Sequence, residues 1–203
     1  MLKEKLPKIG IGVGIIVLVA LIVFVKFYIL DVADVYIAEY YKGIRYGMDR
    51  KDAGSILVSD GHIEMEAGWI YKVNDFGGVE GANGMVSVSG GSDKVENVIC
   101  FFNVGEGEQE MDAELLDKLA KGCIRELDKL IDKKIDEEEH LEILKAEGGA
   151  FDESNIEHIV EGETIWLGEN SCITITYIES KSLTIDFADI NSERAQYYLS
   201  VDR

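Results

Sequence analysis

Residues 98–134 read VICFFNVGEGEQEMDAELLDKLAKGCIRELDKLIDKK, and within this stretch the apolar period changes. The first seven residues are apolar and unalternating apart from Asn103, which predicts a central strand covered on both faces. From Leu115 the apolar side chains recur at three- and four-residue steps, through Leu116, Leu119, Cys123, Leu127, Leu130 and Ile131. That spacing predicts an amphipathic helix over 112–134, with one stripe turned to a sheet. Asp112 suits its N-cap, and Glu114 the positive end of its dipole. Continued to Glu147 the helix would measure about 54 Å, too long for so small a domain. A break is therefore expected near Asp136, then a second short helix closed by Gly148 and Gly149.

Strand patterns lie on both sides of this helix. Upstream, residues 55–59 and 62–66 flank Asp60-Gly61, a dipeptide suited to a two-residue hairpin turn. Ile63 and Met65 alternate there with His62, Glu64 and Glu66, which places His62 on a wet face. Residues 69–73 and 85–89 form further strands, joined by the glycine-dense segment 74–84, read as a disordered hairpin connection. Downstream, residues 164–167, 172–178 and 183–188 predict a three-stranded meander with one solvated face. In its last strand Leu183, Ile185 and Phe187 oppose Thr184 and Asp186, and residues 196–201 suit a final short strand or turn. The class is α+β with a mainly antiparallel sheet, the long amphipathic helix inserted between two groups of strands.

The N-terminal part has a different character. Residues 9–25 are an unbroken apolar run, extended past Lys26 by Phe27 to Leu30. Twenty-two helical residues cover about 33 Å, the thickness of a bilayer's hydrocarbon core. The run exceeds a signal-peptide core, and Asp31 and Tyr36 spoil the positions before Ala33 and Ala38 where cleavage would need small residues. It reads as a retained transmembrane anchor over 9–30. Lys3, Lys5 and Lys8 precede it and Asp31, Asp34 and Glu39 follow, so residues 1–8 are expected in the cytoplasm and the domain outside. Lys26 and Tyr28 suit the outer membrane interface, and Gly10 and Gly14 a close helix–helix contact. From Val32 to Ile44 the apolar spacing predicts that the membrane helix continues over 31–48, leaving 49–203 as one extracytoplasmic domain.

Composition narrows the partners. Residues 1–30 carry four of the 20 basic side chains and one of the 39 acidic ones, leaving 16 against 38, or −22, on residues 31–203. Such a surface repels nucleic acid and anionic headgroups. Cys100, Cys123 and Cys172 sit in apolar surroundings and read as buried thiols, with no spacing that selects a pair or a metal.

Catalytic templates are absent: no GxSxG, SxxK, HExxH, P-loop or GxGxxG occurs at a suitable junction. His62, His140 and His158 are scattered, the acidic run from Glu106 to Asp112 lacks the EF-hand order, and Trp69 and Trp166 read as core. No catalytic, cofactor or metal residue is expected. The reading is a non-enzymatic, membrane-anchored extracytoplasmic domain that binds a protein or envelope partner or a second copy of itself. A long helix half in the membrane and half on an antiparallel sheet is also similar to the layout of type IV pilin-like proteins. That likeness implies, as the alternative, a filament or pseudopilus-like subunit. The processing site of that family, a Gly before Phe or Met with a Glu five residues on, has no counterpart at Gly10, Gly12 or Gly14.

Overall fold

A computed structural model describes residues 32–66, 68–90, 93–105, 110–146, 161–192 and 195–196. The predicted anchor over 9–30 lies outside them. Among the described residues no helix is long and apolar enough to cross a membrane. A compact unit, Asp34–Arg203, contains the sheet.

The described elements are helix α1 (Arg50–Ser59), strands β1 (Ile63–Glu64), β2 (Ile70–Val73), β3 (Gly84–Ser89), β4 (Asn97–Val104) and β5 (Glu110–Met111), helix α2 (Ala113–Leu130), strand β6 (Lys134–Ile135), helix α3 (Glu137–Ala146), and strands β7 (Glu163–Leu167), β8 (Ser171–Ile178) and β9 (Ser182–Asp189). Eight strands run in the order β1-β2-β3-β4-β9-β8-β7-β6, antiparallel throughout, and β5 adds a short parallel pair to β4. The fold is α+β with a mainly antiparallel sheet. The central pairing joins β4 to β9, so the two strand groups on either side of α2 meet in mid-sheet.

Cross-strand register assigns the faces, because directly paired residues point to the same side. Val86, Cys100, Ile185 and Ile175 form one row, and Val88, Val98, Phe187 and Ile173 the next, all fully or almost fully buried. Helix α2 covers this face with Leu116, Leu119, Ala120, Cys123 and Leu127. Asp112 caps it as predicted, accepting from the Leu115 N–H at 2.7 Å. The helix stops at Leu130, and Trp166 Nε1 donates to Asp128 at 3.0 Å, tying its last turn to β7. Helix α3 starts after Asp136, where the break was expected, and its Ile143 packs with Ile135, Ile165, Leu167, Cys172, Ala188 and Ala195 on the opposite face. Strand β4 is central, but only one of its faces is fully buried; Ile99 and Phe101 are half-buried. All three cysteines are free and buried, and burial pushes the Cys123 thiol up to about 12.

Two predicted elements are replaced. No α-helix forms over residues 34–48; the chain is irregular, with a 3-10 turn at Tyr41–Gly43 and Lys42, Gly43 and Gly47 at positive φ. Its apolar residues anchor one at a time, Val35, Tyr41 and Ile44 being buried. The backbone bonds go to distant segments, Tyr36 N–H to Gly77 at 2.8 Å and Gly47 N–H to Val95 at 2.8 Å. The likeness to pilin-like proteins rested on a helix through this stretch.

The second replacement is the strand over 55–59, which is the last half of α1. Asp60-Gly61 does not turn a hairpin. Gly61 (φ +93) closes the helix, with the Gly61 N–H on Val58 O at 3.1 Å and the His62 N–H on Leu57 O at 3.0 Å. That double bond pattern is a Schellman cap. A left-handed glycine after Asp serves either turn, and only the partner segments choose between them.

Candidate functional site

Two features gather on the half of the sheet made by β1 to β3. The first is a polar ring, buried at Tyr41 and His62 and exposed at Lys42 and Asp60. Tyr41 OH hydrogen-bonds His62 Nε2 at 2.8 Å, Asp60 Oδ2 lies 3.6 Å from His62 Nδ1, and Lys42 Nζ pairs with the same Asp60 oxygen at 2.7 Å. His62 follows the helix cap and is 6% exposed, so it is core and not on a wet face. The 3.6 Å separation is too long for a hydrogen bond, and Nδ1 has no hydrogen-bond partner among the described residues. The Tyr41 ring stacks on Phe76 (5.8 Å, 6°) and meets His62 edge-on (5.8 Å, 87°).

The glycine-dense segment closes over this ring and is ordered. Phe76 and Ala82 are buried, the Gly81 N–H bonds Asp75 Oδ1 at 2.7 Å, and Asp75, Gly77, Gly78 and Gly81 take positive φ. A cavity of about 270 Å³ remains, lined by Tyr41, Lys42, Asp60, His62, Asp75 and Gly77 among others. Burial lowers the His62 pKa from its usual 6.5, with Lys42 adding to the effect and Asp60 opposing it, and burial raises that of Tyr41. The ring is thus a neutral buried couple beside an ion pair, built to tie residues 41–42 to the corner between α1 and β1.

A pH dependence follows from this ring. The folded His62 binds a proton less readily than the unfolded one, so its contribution is fully present above pH 6.5 and is lost as pH falls through the lower folded value. Urea midpoints measured from pH 7.5 to 5 should decline more steeply for the native protein than for His62→Gln. Equal slopes would remove His62 as the cause.

The second feature is a groove of about 540 Å³ between α1 and the β1–β2 edge, lined by Arg50, Lys51, Ser55, Val58, Glu64 and Tyr71 among others. It exists because Ala53, Gly54 and Leu57 form the only buried stripe of α1, leaving the rest of the helix outside. A Cβ at Gly54 would collide with the Tyr71 hydroxyl, so the glycine lets β2 and α1 approach closely. Val58 (50% exposed) lines the groove; Ile63 (56%), on the other face of β1 from Glu64, and Trp69 (43%) are exposed outside its lining. Trp69 is therefore a surface residue, whereas Trp166 is core as expected.

The sequence had singled out other residues. Gly10, Gly14, Lys26, Tyr28, His158 and Glu106 to Gln109 lie outside the described residues. His140 is buried on α3, with Nδ1 3.1 Å from Glu163 Oε2 on β7, and this pair joins helix to sheet. Among the described residues no group of three or more His, Cys, Asp or Glu could hold a metal ion. Arg50, Lys51 and Tyr71 were not singled out, and no local signal marks them, since the groove joins an unforeseen helix to a strand beyond it. No protein-family model, no curated protein and no solved structure matches this chain.

Proposed function

We propose that this chain is a single-pass membrane protein whose acidic α+β domain works on the extracytoplasmic side as a binding module for a protein or envelope partner, as a subunit of an envelope assembly. The observation that carries the binding role is the open groove of about 540 Å³ between α1 and the β1–β2 edge, with the exposed side chain of Val58 on its wall. Concave surfaces of this size are the usual places where ligands and partner segments bind. The membrane attachment rests on the apolar run 9–25 and on the lysines before it and the acids after it. Gly10 and Gly14 would let two such spans pack closely, so assembly with a second copy fits the same reading.

Protease added to intact cells tests the topology. The acidic domain should be digested while an epitope tag fused before Lys3 survives. A domain that resists until the cells are lysed would overturn the proposed orientation.

A further inference from the structure

We infer that the surface made by Tyr36, Ile37, Tyr40 and Arg45 rests on the headgroup layer of the membrane that holds the chain, against zwitterionic phospholipid. The inference rests on the membrane attachment proposed above and adds the face that the domain turns to the lipid.

The shortness of the tether is the first observation. Leu30 closes the apolar run, and Asp34 comes four residues later. From that point the domain holds the chain: Asp34 pairs with Arg125 of α2 at 3.1 Å, Val35 is buried, and the Tyr36 N–H bonds Gly77 O at 2.8 Å. An extended chain covers at most about 3.6 Å per residue, so Asp34 lies within about 14 Å of the end of the run and Tyr36 within about 21 Å. A domain on so short a lead meets the bilayer with the surface around its own first residues.

What that surface carries is the second. Tyr36 is 79% exposed, the most open of the large apolar side chains among the described residues. With Ile37 and Tyr40 it lines a cleft of about 160 Å³ walled by the rings of Tyr41, Phe76 and Phe187. Arg45 lies over the Tyr40 ring at 4.0 Å and has no ion-pair partner among the described residues, in a domain where acids outnumber bases. An exposed tyrosine beside an unclaimed guanidinium suits the membrane boundary, where the ring spans the apolar and wet layers and the guanidinium meets a phosphate.

Charge selects the lipid. Asp34 is held by Arg125, and Glu39 accepts from Ser171 Oγ at 2.9 Å, so both remain near Arg45 in sequence as acids that favour an ammonium headgroup. A zwitterion supplies the phosphate and the ammonium together, whereas a net anionic surface meets the acidic excess of the whole domain. A second copy brings that same excess, and a soluble partner would have to enter the gap that the tether leaves.

The test uses the full chain in phosphatidylcholine nanodiscs, with one nitroxide at a time on Leu18→Cys, Tyr36→Cys or Glu138→Cys. Cys100, Cys123 and Cys172 are buried, and labelling of the unsubstituted chain measures what they add. Glu138 is exposed on α3, which packs on the opposite face of the sheet from α2, and serves as the aqueous control. Relaxation of each label by oxygen, which concentrates in lipid, is compared with relaxation by a water-soluble nickel chelate. The oxygen-to-nickel ratio at Tyr36 should stand severalfold above that at Glu138 and below that at Leu18. Arg45→Glu, or exchange of phosphatidylcholine for phosphatidylglycerol, should lower it toward the Glu138 value. A Tyr36 ratio equal to that of Glu138, indifference to Arg45→Glu, or a higher ratio in phosphatidylglycerol would overturn the inference. So would protection of the Tyr36 label from both relaxants, which assigns the surface to a protein contact. A Leu18 label relaxed chiefly by nickel overturns the membrane attachment itself, whereas an aqueous Tyr36 beside a lipid-embedded Leu18 overturns this inference alone.

Discussion

Phe102→Ala lowers the unfolding free energy by about 3–5 kcal/mol, the range for removing a buried aromatic ring. Phe102 is fully buried on β4, opposite Leu183 of β9, and meets the Phe76 ring edge-on at 4.9 Å. Phe76 in turn stacks on Tyr41, which also lies 5.7 Å from Phe187. One aromatic row thus joins the sheet, the glycine-dense loop and the irregular segment 34–48. Set against a usual total of about 5–15 kcal/mol, the loss is a large share of the stability. Urea unfolding followed by circular dichroism measures it. Phe76→Ala combined with Phe102→Ala should cost less than the separate losses together, by roughly 0.5–1.5 kcal/mol for the shared ring contact. A loss below about 1 kcal/mol for Phe102→Ala would contradict the burial of this row.

The second large effect separates two glycines that look alike in the segment 74–84. Gly84 begins β3, and a Cβ there would lie 2.5 Å from Phe102 Cδ1 and strike the Phe101 carbonyl oxygen. Phe101 belongs to the neighbouring strand β4, so its carbonyl cannot yield without moving the pairing. Gly84→Val is expected to cost on the order of 3 kcal/mol or more, the upper end for overpacking. Gly78 has φ +85 but open space around it, so Gly78→Ala should cost about 1–2 kcal/mol through backbone strain alone. Comparison of the two midpoints decides the matter. If Gly78→Ala proved the more damaging, close packing at Gly84 would be refuted.

These residues also mark how far the amino-acid order could be read. Helix α2, its Asp112 cap, the break at Asp136, the strands of the C-terminal meander and the facing of Leu183, Ile185 and Phe187 were legible. Each depends on residues within a few positions of one another, where apolar period and a capping carboxylate act through local bonds. The meander's second face, expected to be solvated, is instead buried at Ile165, Leu167, Cys172 and Thr174, where Ile143 of α3 packs. Residues 55–59 misled because Ile56, Leu57 and Val58 form a short apolar run that suits a buried strand or a helix equally. Residues 31–48 misled because spacing alone does not register where backbone partners come from, and here they come from Gly77 and Val95.

The apolar run near the start, the acidity of the rest, the long amphipathic helix and the α+β class are thus properties of the chain taken in order. The meeting of β4 with β9, the burial of His62 against Tyr41, and the groove that brings Arg50, Lys51 and Tyr71 together belong to the tertiary structure. In each case the residues are many positions apart or lie on separate elements. Only the assembled sheet, with Gly54 seated over Tyr71, brings their side chains within reach of one another.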